Sequence, residues 1–184
     1  MAMLLRQTER LQLHVLEEYD AQRVLEFYQA NAEFRQPWSP TMDASFLTLE
    51  GQRERLRSDR IGRDREQGLA LWLTEIDQQS IVGMVALRNI VRGAFWSCHL
   101  GYEVHQAYAK RGYISEALQA VIEYAFVDLR LHRIEANIMP RNQRSIRVVE
   151  KLGFEHEGLA RKYLKINGTW EDHIHYVRLN AAVE

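Results

Sequence analysis

The sequence predicts an α+β fold in which a mixed, mostly antiparallel sheet is flanked by helices. Three runs rich in β-branched and aromatic residues follow one another between residues 69 and 104, separated by short polar connections, as in an antiparallel meander. Beyond them, segments with apolar residues at helical spacing alternate with further β-rich runs. This order of strands and helices is typical of a sheet with helices packed on its faces.

The N-terminal third predicts one strand and two helices. Residues 8–16, TERLQLHVL, alternate apolar and polar side chains with the period of a half-buried strand. Asp20 is suited to cap the helix that follows it. The segment QPWSP at 36–40 carries two prolines and predicts a loop. A second helix is expected over 44–66, and the mixed charges of 51–68 predict that much of it is solvated.

The C-terminal half predicts a helix, a strand, a second helix and a hairpin. Apolar residues at i, i+3, i+4 spacing predict a long helix over 110–129. RIEANIM at 133–139 is a predicted strand. The next helix is expected to be capped by Asn142 and closed by Gly153 in the left-handed conformation. The Asn-Gly dipeptide at 167–168 suits the type I′ turn of a closing hairpin.

Composition limits the possible functions. A length of 184 residues suits a single domain spanning 1–184. The single cysteine, Cys98, argues against a disulfide scaffold and predicts a reducing compartment such as the cytoplasm. A formal net charge of −1 argues against nucleic acid as a partner, and the short apolar runs predict no membrane span. The chain is expected to be a monomer or a homodimer.

A cationic turn before the long helix predicts a local anion site. The stretch AYAKRGYISEAL at 107–118 places Lys110, Arg111 and Gly112 where the helix begins. A helix N terminus exposes unpaired N–H groups and a partial positive charge, so together with neighbouring cations it suits a phosphate or diphosphate. Gly112 allows the backbone to approach a bulky ligand closely. Solvated basic residues at an ordinary helix start would give the same local pattern, so the wider context decides.

That context resembles the GNAT superfamily of N-acetyltransferases, and within it the RimJ/RimL group of ribosomal-protein-alanine N-acetyltransferases. HRIEANIMPRNQRSIRVVEKLGFEHEG at 132–158 is the most specific part of the resemblance. LGYEVHQAYAKRGYISEAL at 100–118 resembles the family's acyl-CoA-binding motif. TERLQL at 8–13 and INGTWEDHI at 166–174 resemble its first strand and closing hairpin, so the resemblance covers most of 8–175.

The resemblance implies a GNAT-type acyl-CoA N-acyltransferase fold whose sheet splays between its fourth and fifth strands, with acetyl-CoA in the opening. The backbone near the end of the fourth strand, around Glu103 and Val104, would pair with the pantetheine arm, and the diphosphate would lie on the amides of the turn from Ala109 to Ile114. The cofactor-binding residues implied are Val104, Ala109, Lys110, Arg111, Gly112, Tyr113, Ile114 and Asn142.

Some of these positions have more than one interpretation. In the family's turn pattern, Gln/Arg-x-x-Gly-x-Gly/Ala, this chain keeps only the central glycine, Gly112. Asn142 could cap its helix, contact the pantetheine amides, or do both. Arg144 and Arg147 could meet the 3′-phosphate or remain solvated.

The resemblance also implies two catalytic residues. Glu103 would lie beside the thioester as general base, and an exposed strand carboxylate without a role is the evenly matched alternative. Glu33, Asp43 or Glu116 could serve as the base instead. Ser145 matches a serine that is implicated in protonating the thiolate in RimL-like members, and an ordinary first-turn serine is the alternative.

Three further candidates come from the residues themselves. Trp38, in the proline-flanked loop, is expected to line the substrate groove. His173 and His175 stand two apart on a predicted strand, but tetrahedral zinc needs three or four converging ligands and the sequence offers no second cluster. No metal is therefore expected. Cys98, among apolar strand residues, is expected to be a core side chain and not an acetyl carrier.

The predicted function is direct, acetyl-CoA-dependent acetyl transfer to an amine. The resemblance implies the N-terminal amine of a protein, with a ribosomal protein that bears an N-terminal alanine as the acceptor. A small amine such as a polyamine, an amino acid or an antibiotic is the alternative within enzymes. An acidic closed pocket would favour a polyamine, whereas a groove flanked by the loop at 34–46 would favour a peptide end. A CoA-binding sensor without turnover is the alternative outside enzymes.

Overall fold

An eight-stranded sheet forms the centre of the structure, a computed structural model that describes residues 2–183. The strands are β1 Met3–Gln7, β2 Leu11–Val15, β3 Leu69–Glu75, β4 Ile81–Val91, β5 Ser97–Val104, β6 Arg133–Ile138, β7 Glu155–Ile166 and β8 Thr169–Leu179. Their order in the sheet is β1-β2-β3-β4-β5-β6-β8-β7. Within this sheet β5 and β6 are parallel and the other neighbours are antiparallel, so the predicted α+β class with a mixed, mostly antiparallel sheet is confirmed.

Helices cover both faces of the sheet. They are α1 Ala21–Ala30, α2 Ala32–Arg35, α3 Leu49–Asp64, α4 Tyr113–Val127 and α5 Gln143–Lys151. Among residues 2–183, no helix has the combination of length and apolar character that crossing a membrane requires.

Each face of the sheet has its own core. Leu71 belongs to the core that includes α4 and α5, and its neighbour Trp72 belongs to the core that includes α1 and α3. Successive residues of a strand point to opposite faces, and the same alternation holds at the end of β5. Tyr102 and Val104 pack with the α4 side, whereas Glu103 contacts α1 on the other side.

The sheet opens between β5 and β6. The two strands pair only where Ser97 to His99 lie beside Arg133 to Glu135. Beyond His99, β5 continues in register with β4 alone, and β6 continues in register with β8 alone. The inner edges of both strands are therefore left without a partner strand within residues 2–183. The opening predicted between the fourth and fifth strands is confirmed.

The chain begins with one more strand than the sequence predicted. The prediction placed a first strand at 8–16, whereas the structure has both β1 and β2 before the first helix. β1 is an edge strand whose side chains are mostly exposed, so it lacks the apolar alternation that reveals a half-buried strand. The predicted fourth and fifth strands are consequently β5 and β6.

One predicted helix cap and one predicted helix start were wrong. Asp20 does not cap α1 with its side chain; it accepts a hydrogen bond from the N–H of Glu17 and so closes the turn before the helix. α3 begins at Leu49, later than predicted, because Thr48 accepts from the N–H of Gly51 and caps the helix there. The residues just before Thr48 form a 3₁₀ turn.

The C-terminal elements follow the prediction closely. The side chain of Asn142 accepts from the N–H of Ser145 and caps α5, and Gly153 follows the helix with a φ of 76°. Asn167 and Gly168 have φ values of 44° and 83° and join β7 to β8, as a type I′ turn requires. The meander of β3, β4 and β5 is antiparallel, as expected.

Gly83 of β4 allows the end of β5 to lie close, which yields a prediction. A Cβ there would stand 2.6 Å from the carbonyl oxygen of Glu103 and 3.3 Å from the Cα of Val104. We expect Gly83→Ala to displace this strand end and to lower the free energy of unfolding by about 1–3 kcal/mol, measured by urea denaturation. Gly62→Ala in α3, where no atom lies within 4 Å, is the control and should be neutral or stabilising. Equal losses in both variants would contradict this explanation.

Candidate active site

A cleft of about 700 Å³ passes through the opening between β5 and β6. On one face of the sheet its walls come from the turn before α4 and from α5. On the other face they come from α2, from α3 and from the loop after α2. Two reactants can therefore enter from opposite faces of the sheet and meet beside the end of β5.

The turn before α4 leaves a run of backbone donors unpaired. The N–H of Ala109 donates to the carbonyl of Gln106 at 3.2 Å, so the predicted run of free amides from Ala109 was wrong at that residue, whereas the N–H groups of residues 110–115 donate to no acceptor within residues 2–183. Lys110 and Gly112 have left-handed φ values of 65° and 81°, so α4 begins at Tyr113 and not at 110 as predicted. Unpaired amides at the positive end of a helix form a site suited to a diphosphate.

Arg10 fixes this turn to the N-terminal strands. Its Nε donates to Glu116 at 2.7 Å, its Nη1 donates to the carbonyl of Arg111 at 3.0 Å, and its guanidinium lies 4.6 Å from the ring centroid of Tyr113. Burial alone would raise the pKa of Glu116, but hydrogen bonds from Thr8 and Arg10 outweigh it and hold the pKa below its usual value. Glu116, a candidate base from the sequence, lies outside the cleft and braces the turn.

Most of the predicted cofactor-binding residues line the cleft. They are Val104, Ala109, Lys110, Gly112, Tyr113, Ile114 and Asn142. Arg111 does not line it; its guanidinium lies 5.3 Å from the ring centroid of Tyr108. The backbone N–H of Arg111 is among the unpaired donors, so a role in binding stays a prediction.

The end of β5 offers backbone groups to the cleft. The N–H of His105 donates to the carbonyl of Val82 on β4 at 2.8 Å, so the strand's alternation turns the backbone of Val104 toward the opposite edge. The buried Asn31 side chain donates to the carbonyl of Val104 at 3.0 Å and accepts from the N–H of Gln106 at 2.9 Å. Asn31 therefore fixes the position of this strand end.

The first turn of α5 faces that edge across the cleft. The hydroxyl of Tyr102 donates to the carbonyl of Ser145 at 3.1 Å, and burial raises the pKa of Tyr102, so the phenol stays a donor. The Ser145 side chain lines the cleft, and within residues 2–183 its hydroxyl makes no hydrogen bond. It is free to donate to a bound group.

Glu103 is held on both carboxylate oxygens. Tyr28 donates its hydroxyl to Oε1 at 2.8 Å, and the Nε of Arg35 donates to Oε2 at 3.3 Å. Burial, reinforced by the Glu103 charge, raises the pKa of Tyr28 well above its usual value, so Tyr28 remains protonated. The Glu103 side chain is 21% exposed and lines the cleft. The carboxylate is therefore in position to receive a cationic or protonated group.

This geometry agrees with a known family. The profile of the acetyltransferase (GNAT) domain matches residues 10–155. The chain belongs to the GNAT acetyltransferases. The [ribosomal protein uS5]-alanine N-acetyltransferase of Escherichia coli (strain K12) is 39% identical over 169 residues, which cover 91% of this chain and 86% of that protein.

Solved structures of related GNAT proteins share the fold. A ribosomal-protein-S5-alanine acetyltransferase from Vibrio fischeri superposes with a TM-score of 0.92 at 31% identity, and the match covers 100% of this chain and 99% of that one. RimJ from Mycobacterium smegmatis, solved in complex with CoA-disulfide, has a TM-score of 0.88 at 26% identity, covering 94% and 83%. The resemblance to the GNAT superfamily and its RimJ/RimL group is thereby confirmed.

The loop after α2, which lines the cleft on the α2 and α3 side, is hydrogen-bonded to the β7–β8 hairpin. Ser39 accepts at its carbonyl from the N–H of Asn167 at 3.1 Å. The guanidinium of Arg141 lies 5.2 Å from the ring centroid of Trp38. Trp38 lines the cleft, and its part in substrate binding stays a prediction.

The other candidate bases lie outside the cleft. Glu33 is exposed on α2. Asp43 caps a 3₁₀ turn, and hydrogen bonds from the hydroxyl and N–H of Ser45 lower its pKa. Of the four acidic residues that the sequence offered, Glu103 is the one that lines the cleft.

Two histidines of β8 pack around Tyr163. The ring centroids of His173 and His175 lie 5.7 and 4.8 Å from that of Tyr163. His173 lines the cleft; its Nδ1 lies 3.0 Å from the carbonyl oxygen of Glu171, so Nδ1 carries the hydrogen and Nε2 is the acceptor. Burial lowers the pKa of His173, which keeps it neutral. Within residues 2–183, no group of three or more His, Cys, Asp or Glu side chains could hold a metal ion.

The cleft is cationic although the chain is nearly neutral. Its charged lining residues are one carboxylate, Glu103, and the cations Arg35, Arg55, Arg88, Lys110, Arg144, Arg147 and Lys151. The sequence did not predict four further lining or contacting residues of the cleft, because helix packing brings them to β5 from far along the chain: Tyr28, Asn31, Arg35 and Arg55. No local motif marks them.

Cys98 gives a prediction about the chemistry. It is 1% exposed, and burial raises its pKa to about 12, so the thiol stays protonated at neutral pH and cannot form an acetyl-thioester. We expect Cys98→Ala to keep the turnover within about twofold of wild type, measured by thiol release from acetyl-CoA. The native protein should also resist iodoacetamide at neutral pH. A folded Cys98→Ala variant without activity would contradict direct transfer.

Proposed function

We propose that this chain transfers the acetyl group of acetyl-CoA to the N-terminal amine of a protein, with a ribosomal protein that begins with alanine as the acceptor. The observation that carries the proposal is a cleft open to both faces of the sheet, in a chain 39% identical to the uS5-alanine enzyme over 91% of its length. One face offers an anion site for the acyl carrier, and the other offers a carboxylate and a groove for the amine. An acceptor on the ribosome places the reaction in the cytoplasm.

The residues on the α4 and α5 side fit acetyl-CoA. The unpaired N–H groups of 110–115 suit the diphosphate, and the Val104 edge suits an extended pantetheine arm that adds to the sheet like a strand. Arg147 and Lys151 line the same side and suit the 3′-phosphate. Bound there, acetyl-CoA supplies the activated thioester.

Two side chains divide the proton transfers in the proposed reaction. Glu103, fixed by Tyr28 and Arg35, takes the proton that the amine loses as its nitrogen bonds to the acetyl carbon. Ser145 donates its proton to sulfur as the carbon–sulfur bond breaks and regains one from solvent, and Glu103 releases the amine's proton to solvent as the products leave. An N-terminal amine has a pKa of about 8, so it needs only a modest base, whereas a lysine amine at about 10.4 needs more help.

The charge of the cleft argues against a polyamine acceptor. One carboxylate, Glu103, lines it together with a larger number of lysine and arginine side chains. A polycation would be repelled at this site, since like charges in a partly buried cleft are poorly screened.

The turn before α4 supplies a test of the carrier site. We expect Gly112→Asp to weaken acetyl-CoA binding by about 100-fold or more, because it adds a negative charge to the turn and its Cβ, 3.5 Å from Nη2 of Arg10, would let the carboxylate draw away the arginine that holds the turn. Gly112→Asn is the matched control: it has the same size and the same left-handed backbone, without the charge. The affinity of the Gly112→Asn variant for acetyl-CoA should fall by at most about tenfold. Calorimetry measures both affinities, and wild-type affinity in the folded Asp variant would remove the turn from the site.

The base assignment is tested by the pH dependence of kcat at saturating substrates. Protonation of the amine, whose pKa is about 8, lowers the rate on the acid side in every variant, whereas loss of the base in Glu103→Gln should lower kcat by about 100-fold at every pH. His173→Gln is the control within the same cleft: burial lowers the pKa of His173, so it is already neutral at pH 7. If His173→Gln shows the 100-fold loss of kcat across the pH range and Glu103→Gln does not, His173 is the base.

The acceptor is tested by thiol release with a panel of amines. The panel contains a peptide with a free N-terminal alanine, the same peptide with a blocked N terminus and an internal lysine, spermidine, and alanine amide. We expect transfer to the free N terminus, with mass spectrometry placing the acetyl group on the α-amine. Transfer only to spermidine or to lysine would overturn the proposal. Acetyl-CoA binding without transfer to any amine would identify a sensor.

A further inference from the structure

Arg55 is a cation on α3 that lines the cleft without a carboxylate partner in residues 2–183. Its guanidinium lies 4.8 Å from the ring centroid of Tyr28, 5.6 Å from that of Phe46 and 5.8 Å from that of Trp72. All three rings are buried, so they hold the side chain in place. Contacts with aromatic faces stabilise a cation, but they offset only part of the cost of withdrawing a charge from water.

Arg55 shares its aromatic support with Arg35. The guanidinium carbons of Arg35 and Arg55 each lie 4.8 Å from the Tyr28 ring centroid. The two positive charges are therefore separated by at most twice that distance. Glu103 compensates one of them, because it pairs with Arg35 at 3.3 Å. The wall of the cleft around Tyr28 is therefore left with one positive charge in excess.

Space for an anion lies on the same face of the sheet. Ala86 and Gly101 are paired across β4 and β5 and line the cleft. A Cβ on Gly101 would meet no atom within 4 Å, so the space beside this pair is open. Arg88, two residues along β4 from Ala86, pairs with Asp59 at 2.5 Å and is already compensated.

Arg144 is a second cation of this kind. It belongs to the first turn of α5, but its guanidinium lies 4.8 Å from the ring centroid of Phe34 and 5.8 Å from that of Trp38. In residues 2–183 no carboxylate pairs with Arg144, whereas its neighbour Arg141 pairs with Glu171 at 2.7 Å. The acceptor side of the cleft thus carries two arginines that are held on aromatic rings and lack a counter-ion.

We infer that Arg55 and Arg144 select an acceptor peptide that carries an acidic side chain within its first few residues. The inference rests on the proposed function and names the class of N terminus that the site takes. Tyr28 contacts Glu103 through its hydroxyl and Arg55 through its ring, so the Glu103 carboxylate and the Arg55 guanidinium lie on either side of one tyrosine side chain. About three residues of an extended peptide, at roughly 3.4 Å per residue, are enough to span the distance between them. The amine lies at Glu103 while a nearby carboxylate of the same peptide meets an arginine.

The test uses matched peptides with a free N-terminal alanine. Each pair differs by glutamate or glutamine at position two, three or four, and kcat/KM is measured by thiol release. We expect the glutamate peptide to be preferred by about tenfold or more at one of these positions, with the preference shrinking as salt is raised. Equal kcat/KM values for all the pairs would overturn the inference.

Variants identify the residue responsible for the preference. Arg55→Gln or Arg144→Gln should bring the glutamate-to-glutamine ratio to about one, and Arg55→Lys should keep part of it. Arg53→Gln is the control: Arg53 lies on the same helix, pairs with Glu50 and does not line the cleft, so the ratio and the activity should both persist. A ratio unchanged in both glutamine variants, with acetyl-CoA affinity intact, would also overturn the inference.

Failure of this inference differs from failure of the proposed function. If the peptides are acetylated equally with and without the acidic residue, the proposed N-terminal activity is supported and the selection by Arg55 and Arg144 is wrong. If no peptide is acetylated but free aspartate or glutamate is, the protein acceptor is wrong and the arginines serve a small acceptor.

Discussion

The site depends on the separation of β5 from β6 after His99. Three residue pairs join the two strands, and beyond them each strand presents an inner edge with no partner strand in residues 2–183. Backbone groups at such an edge need hydrogen-bond partners, and the pantetheine arm that we propose to lie along β5 would supply them. The same separation connects the two faces of the sheet, which lets an acyl carrier and an amine approach each other from opposite sides.

Contacts outside the cleft hold the edges of the opening in place. Arg10 and Glu116 fix the turn that carries the unpaired amides, and Asn31 fixes the end of β5. Tyr102 connects β5 to the first turn of α5. Pre-positioned donors need no reorganisation when a charged ligand arrives, so these contacts would favour tight binding of the proposed diphosphate without a dedicated charged motif.

The parts of the site that depend on local backbone conformation could be predicted from the sequence. Gly112 has a left-handed φ and Asn142 caps a helix, and both leave a mark in a few neighbouring residues. Arg55 leaves no such mark, because the packing of α3 brings it over Tyr28, and its mixed-charge segment predicted a solvated helix. The sequence did not predict β1 either, because its side chains are mostly exposed and show no alternation of apolar and polar residues.

A crystal structure of the chain with CoA tests the central claim most directly. The diphosphate should lie within hydrogen-bonding distance of the N–H groups of residues 110–115, and the pantetheine arm should run along β5 beside Val104. A carrier bound at another place, or absent from the cleft at saturating concentration, would contradict the assignment of this opening as the active site.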